Sequence, residues 1–220
     1  MKHIPFFHKI VVIIVVLNLT SCCSSTEDTI LLNEETLEWK TDDPPKSNFT
    51  MIDNNGISQI FTLKSNRQYF IKSTSSSFCS ESILNEEHVY QKYVSDFGNQ
   101  FQISLTTAFD NTGDDIYIVC AKTGFGYDSK NKVLNRINTP FGNYGQSFNP
   151  DGTYRKVLSS TVKILGNYST SYHDYEQVMC FELKDYKNKW TNNLVTKIYV
   201  AKRIGLIKYE LNNGIYYERK

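Results

Sequence analysis

The chain has 220 residues, 40% of them hydrophobic and 14% aromatic, and a formal net charge of +1. That balance leaves no basic footprint for nucleic acid and is too apolar for a disordered chain. The 15 Tyr and 13 Phe favour strands over helices.

The first element is a leader. Lys2 and Lys9 flank the start of an apolar run, Ile10 to Leu17, made only of Val, Ile and Leu. The run is far shorter than the ~20 apolar residues a spanning helix needs, and it fits the helix of a secretory signal peptide over residues 1–21. Leu19-Thr20-Ser21-Cys22 follows. These four residues resemble the lipobox of bacterial lipoproteins, in which the cysteine thiol is acylated and becomes the new N-terminus. The resemblance implies lipidation of Cys22 by palmitate-type chains, cleavage before it, and a membrane partner held through the N-terminal lipid. Several acyl chains on one residue suffice for stable anchoring. Cys23 is a poorer acceptor, because it places Thr20 where the large aliphatic residue belongs. Cys22→Ala should leave an uncleaved precursor, seen as a slower band by gel electrophoresis, and normal maturation would refute the lipobox.

Residues 22–48 read as a flexible tether. Glu27 and Asp28 resemble the acidic signal that follows the lipidated cysteine in lipoproteins of Bacteroidota, which implies the cell outer membrane, periplasmic or surface-facing. Asp28-Thr29-Ile30 resembles the short O-glycosylation acceptor of the same phylum. Leu31, Leu32, Leu37 and Trp39 can form a brief helix or pack back on the domain, and Asp42-Asp43-Pro44-Pro45 stops regular structure.

Residues 49–220 read as a single antiparallel β domain, because the dominant period is two. Asn55-Gly56 signals a hairpin. Ile60 to Leu63 and Tyr69 to Ile71 read as strands joined through Ser65-Asn66, and Ser73 to Ser77 as a loop. Ile83 to Val94 fits helical and strand spacing alike, with strand favoured from Val89. Phe101, Ile103 and Leu105 alternate with Gln102, Ser104 and Thr106, giving one dry and one wet face. Asn111 to Asp114 turns into a central strand, Ile116 to Ala121. Asn131 to Asn149 reads as a long loop. Strands are expected at Tyr154 to Leu165, Val178 to Leu183 and Leu194 to Ala201, and Asn213-Gly214 is the strongest hairpin signal. The fold class that follows is all-β, an antiparallel open barrel (half-barrel) or a sandwich, behind an N-terminal signal helix.

The segment Ile198 to Glu210, with Ala201-Lys202 and Gly205-Leu206-Ile207-Lys208 at its centre, resembles a closing motif of uncharacterised envelope lipoproteins of Bacteroidota. With Gly166-Asn167-Tyr168 and Val178 to Leu183 before it, the resemblance spans about Ser160 to Lys220. It implies an all-β half-barrel and carries no catalytic residues. Arg203 stands where that pattern has Gly, so a looser turn is expected. Gly205 marks a bend or a close approach, and Lys202 and Lys208 should point to solvent as a charged edge.

Few residues invite chemistry. His88 follows Glu86-Glu87 and His173 precedes Asp174, but neighbours on a strand leave by opposite faces, so neither pair makes a base and its orienter. No spacing marks a metal site, and Asp110, Asn111, Gly113, Asp114 and Asp115 fit a turn better than a calcium loop. No cofactor is expected. Cys120 and Cys180 lie in apolar strand-like runs as buried thiols or a bridge, Cys79 sits in a Ser-rich segment, and pairing among Cys23, Cys79, Cys120 and Cys180 stays open. Phe125-Gly126-Tyr127 and Phe141-Gly142-Asn143-Tyr144 read as loops, whose exposed rings at Tyr127, Phe141 and Tyr144 would stack on a glycan or anchor a partner. The reading is therefore a lipid-anchored envelope lipoprotein acting as a non-enzymatic binding or structural component, with a glycan, a lipid or an envelope protein as partner and no nucleic acid. A hydrophobic-ligand carrier is one variant of it. The alternative is a glycan-directed hydrolase whose carboxylates converge only in the fold.

Overall fold

The computed structural model describes residues 24–77, 80–107, 113–139, 142–145, 160–184 and 193–220. The segment expected as a signal peptide, Cys22, Cys23, Cys79 and Phe141 lie outside the described residues. In chain order the strands are β1 (Ser24–Ile30), β2 (Asn48–Asp53), β3 (Ser58–Ser77), β4 (Ser80–Ser95), β5 (Gln100–Thr107), β6 (Asp114–Cys120), β7 (Thr123–Asp128), β8 (Val133–Thr139), β9 (Gly142–Gly145), β10 (Ser160–Ser169), β11 (Asp174–Leu183), β12 (Val195–Ala201), β13 (Gly205–Leu211) and β14 (Tyr216–Arg219). One short helix, α1 (Glu34–Leu37), is capped by Asn33, whose Oδ1 accepts from the Thr36 amide at 2.8 Å. No helix among the described residues is long and apolar enough to cross a membrane.

The chain divides into two compact units, Met1–Ile30 with Phe70–Glu86 and Leu31–Tyr69 with Glu87–Lys220. In the first, β1 runs parallel to β4 from Ser24↔Ser80 to Ile30↔Glu86. Asn85 Nδ2 donates to Glu27 Oε1 at 2.9 Å.

In the second unit the strands follow the order β10-β11-β12-β13-β14-β2-β3-β4-β5-β6-β7-β8-β9. The sheet is antiparallel and nearly closed into a barrel with one open seam, so the open barrel holds and the sandwich does not. The seam's edges are β9 and β10, the two ends of that order, and β10 comes near β8. Alternation decides which face turns inward. Phe101, Ile103 and Leu105 are fully buried while Gln102, Ser104 and Thr106 are half-exposed, and the same alternation runs from Glu87 to Ser95, so β4 is strand throughout.

Aromatic rings fill the interior. Phe49 stacks on Phe61 at 5.2 Å and meets Tyr93 edge-on at 5.3 Å, and Tyr93 tilts against Phe101 at 5.8 Å. The Arg219 guanidinium lies 4.3 Å from the Phe49 ring centre and donates to the Ile204 carbonyl. A smaller cluster, Tyr175, Val178, Tyr199, Ala201 and Ile207, occupies the opposite face of β11–β13.

Several expected loops are strands. Phe125-Gly126-Tyr127 is β7, and the stretch from Asn131 contains β8 and β9. Gly126 is the register partner of Tyr117, and a Cβ at nearby Gly124 would come 2.5 Å from the Tyr117 hydroxyl, so the bare backbone makes room for that ring. Arg136 covers Tyr117 at 5.6 Å, and Asn138 donates to its hydroxyl. Ser73 to Ser77 and Ser65-Asn66 belong to one long strand, β3, the first as its C-terminal end, rather than forming a loop and a joint.

Candidate functional site

The segment Leu31–Asp43, expected as tether, is the barrel's plug. Its backbone enters the concave face and is met there by inward side chains. Leu32 N–H donates to Glu87 Oε2 and Asn33 N–H to Asp114 Oδ2, both at 2.9 Å. Gln91 reads Thr41 twice: its Oε1 accepts from the Thr41 amide at 2.7 Å and its Nε2 donates to the Thr41 carbonyl at 2.9 Å. The Tyr93 hydroxyl, held above its ordinary range by burial, bonds Thr41 Oγ1 and donates to Asp43 Oδ2 at 2.8 Å. Leu32, Thr36, Trp39 and Thr41 are buried. The tether reading misses this because the plug's polar partners stand far away in sequence.

The plug is latched to the β12–β13 turn. Arg203 N–H donates to the Glu38 carbonyl at 2.8 Å, Asp42 N–H donates to the Arg203 carbonyl at 3.0 Å, and Thr41 and Arg203 form an isolated bridge. The Glu38 carboxylate takes Lys202 at 2.6 Å and Arg203 at 3.3 Å, and hydrogen bonding and charge from Lys202 hold it below its ordinary range. Arg203 adopts the left-handed conformation itself, with φ 62°. The turn therefore stays tight without glycine there.

The lysines expected in solvent are largely covered. The Lys202 ammonium lies 5.6 Å from the Trp39 ring centre. Lys208 is only 14% exposed, paired with Glu218 at 3.1 Å and lying 4.4 Å from the Tyr216 ring centre. Burial opposes ionisation of Glu218, but the Ser171 amide and Lys208 outweigh it and lower its pKa. β13 is an interior strand between β12 and β14, so these residues mark no sheet edge.

Between the plug, β6, β7 and β10 lies a hollow of about 500 Å³. Trp39, Ile116, Tyr127 and Ile164 give it an apolar floor, and Asn33, Glu35, Ser129, Lys130 and Lys132 stand around it. Ile164 pairs with Met179, a core residue, so it faces inward, yet it remains 47% exposed. Its exposure is the mark of the open seam: an inward-facing aliphatic side chain on a strand that, among the described residues, pairs on one edge only. The hollow's size suits a small ligand.

Of the aromatic residues expected in exposed loops, Tyr127 is 4% exposed on β7, where it lines the hollow. Burial raises its pKa, with Glu35 and Asp128 adding to the effect. Tyr144 lies on β9, and Phe141 is outside the described residues. Of the three, only the Tyr127 side chain lies among the described ones. Sequence reading missed Ile164; the signal was present, since Val162 and Ile164 flank Lys163 in strand alternation.

The buried carboxylates are already committed. Asp53 Oδ1 accepts from the Asn55 and Ile57 amides, and Asp128 from the Lys130 and Asn131 amides. Glu87 and Asp114 hold the plug, and Glu218 holds Ser171 and Lys208. His88 stacks on Tyr69 at 5.6 Å while Glu87 faces inward, so adjacency does separate them. Among the described residues no three His, Cys, Asp or Glu side chains gather as a metal site. Cys120 is buried in the interior and Cys180 half-buried on the outer face, both as free thiols, so no bridge joins them. Burial raises both thiol pKa values, which disfavours the reactive thiolate. No known protein family, curated protein or solved structure matches this chain.

Proposed function

We propose that this chain is a lipid-anchored lipoprotein of a Gram-negative outer membrane that acts as a non-enzymatic binding component, taking a small apolar molecule with a polar head into the hollow beside the seam. The N-terminal Leu19-Thr20-Ser21-Cys22 stretch and the acids after it support the location. One observation carries the binding reading: Ile164 is inward-facing yet 47% exposed, over a floor of Trp39, Ile116 and Tyr127. Apolar surface left open to water is favourable to cover. The rest of the barrel is packed with rings, which weighs against a carrier with a through-going groove. The hydrolase alternative needs a carboxylate left over for chemistry, and all five buried ones among the described residues already accept backbone amides.

The test uses Trp39 as its own reporter. Trp190→Phe leaves it the sole tryptophan of the two in the chain. Titration with decanoate should then give a saturable change in its fluorescence. Ile164→Arg should abolish that change, and the fold should tolerate it because the position is exposed. No response, or the same response in Ile164→Arg, would refute ligand entry at the seam.

A further inference from the structure

β3 outruns its neighbour. β2 pairs with it only from Ser58 to Thr62, and Leu63 N–H donates to the Ser47 carbonyl at 2.9 Å. From Lys64 to Tyr69, among the described residues, β4 borders one edge and no strand borders the other. Lys64, Asn66, Arg67, Gln68 and Tyr69 are exposed. An open groove of about 580 Å³ is lined by Asn66, Arg67, Gln68, Tyr69 and Tyr90. Alternate side chains leave a strand by opposite faces, so four consecutive residues line one groove only where it follows the strand's edge.

Such an edge carries unpaired amides and carbonyls, which are a template for another chain. No proline interrupts Ser58–Ser77, and the strand holds Lys64, Arg67 and Lys72 with no Asp or Glu. Two copies paired here would set cation against cation. Tyr69 is held flat against His88 at 5.6 Å, so it offers a fixed platform beside the edge. We propose that the Lys64–Tyr69 edge is a strand-addition site for an acidic, extended polypeptide segment of a partner protein. Main-chain hydrogen bonds supply the affinity, Lys64 and Arg67 select the charge, and Tyr69 receives a side chain from the added strand.

The experiment is fluorescence polarisation with three labelled octapeptides: alternating Glu and Thr, the same peptide N-methylated at alternate amides, and alternating Lys and Thr. The first should bind saturably. N-methylation removes donors on one edge and keeps the charge, and should weaken binding about tenfold or more. The Lys-Thr peptide should not bind. The double variant Lys64→Glu, Arg67→Glu changes only exposed side chains and should cost a similar factor. Equal binding of the N-methylated peptide would reduce the effect to charge attraction and overturn strand addition. Absence of binding by the first peptide, or unchanged binding to the charge-reversed variant, would overturn it as well.

Discussion

Replacing Trp39 with alanine should lower unfolding stability by about 3–5 kcal/mol, the range for truncating a buried aromatic side chain. Trp39 is 3% exposed in a stretch whose composition reads as spacer. It packs with the main core, stands under the Lys202 ammonium and floors the hollow. Since a domain holds only ~5–15 kcal/mol in total, the loss should be plain in urea unfolding followed by circular dichroism. The measurement separates two views of the N-terminal segment. A tether contributes nothing when its tryptophan is removed, and a drop below about 1 kcal/mol would restore that view. A plug takes the core with it. Leu32, Thr36 and Thr41 are buried beside Trp39, so cavity collapse is resisted on every side.

Gly205→Ala should cost about 2–4 kcal/mol, from two sources. Its φ of 83° lies in the left-handed region that an alanine adopts only with strain, and a Cβ there would stand 2.5 Å from Thr41 Cγ2. Thr41 cannot simply step aside. Its amide and carbonyl are both held by Gln91, and its hydroxyl bonds Tyr93. Thr41→Ser deletes the offending methyl and keeps the hydroxyl. The double variant should therefore recover about 1 kcal/mol or more relative to the sum of the single changes, read by urea unfolding of all four proteins. Strict additivity would assign the whole cost to the backbone and remove the plug from the explanation.

The fold was legible where chemistry is local. The alternation from Phe101 to Thr106 and the Asn213-Gly214 turn announce themselves within a few residues and stand as expected, and the strand expected from Ile116 to Ala121 is present as Asp114–Cys120, with Ala121 in the turn that follows. Reading failed where a residue's meaning depends on a distant partner. Gly126 suggests a loop until Tyr117 is set opposite it. The plug is invisible from Leu31 to Asp43 alone, because Gln91, Glu87 and Asp114 stand 50, 55 and 81 residues away from the amides they accept from. Lys208 looks like an exposed charge until Glu218 and Tyr216 close over it. The hollow was half legible: Trp39 and Tyr127 were noticed, one for packing and one for exposure. Ile164 was not, because a sheet's open seam is a property of closure rather than of any strand.

The pairing of β2 with β14 sets Met51 opposite Arg219, and the latch sets Thr41 opposite Arg203. Synthesis delivers the N-terminal half of each pair first. Trp39, Phe49 and Met51 therefore leave the ribosome long before the strands that cover them, and no early partial structure can bury them as the finished barrel does. Folding of the second unit has to wait for the last strands, which makes its contacts predominantly long-range and its folding slow. Under the export proposed above this delay would be useful: an unfolded chain threads a translocation channel, and a barrel that cannot close before its C-terminus arrives cannot jam one.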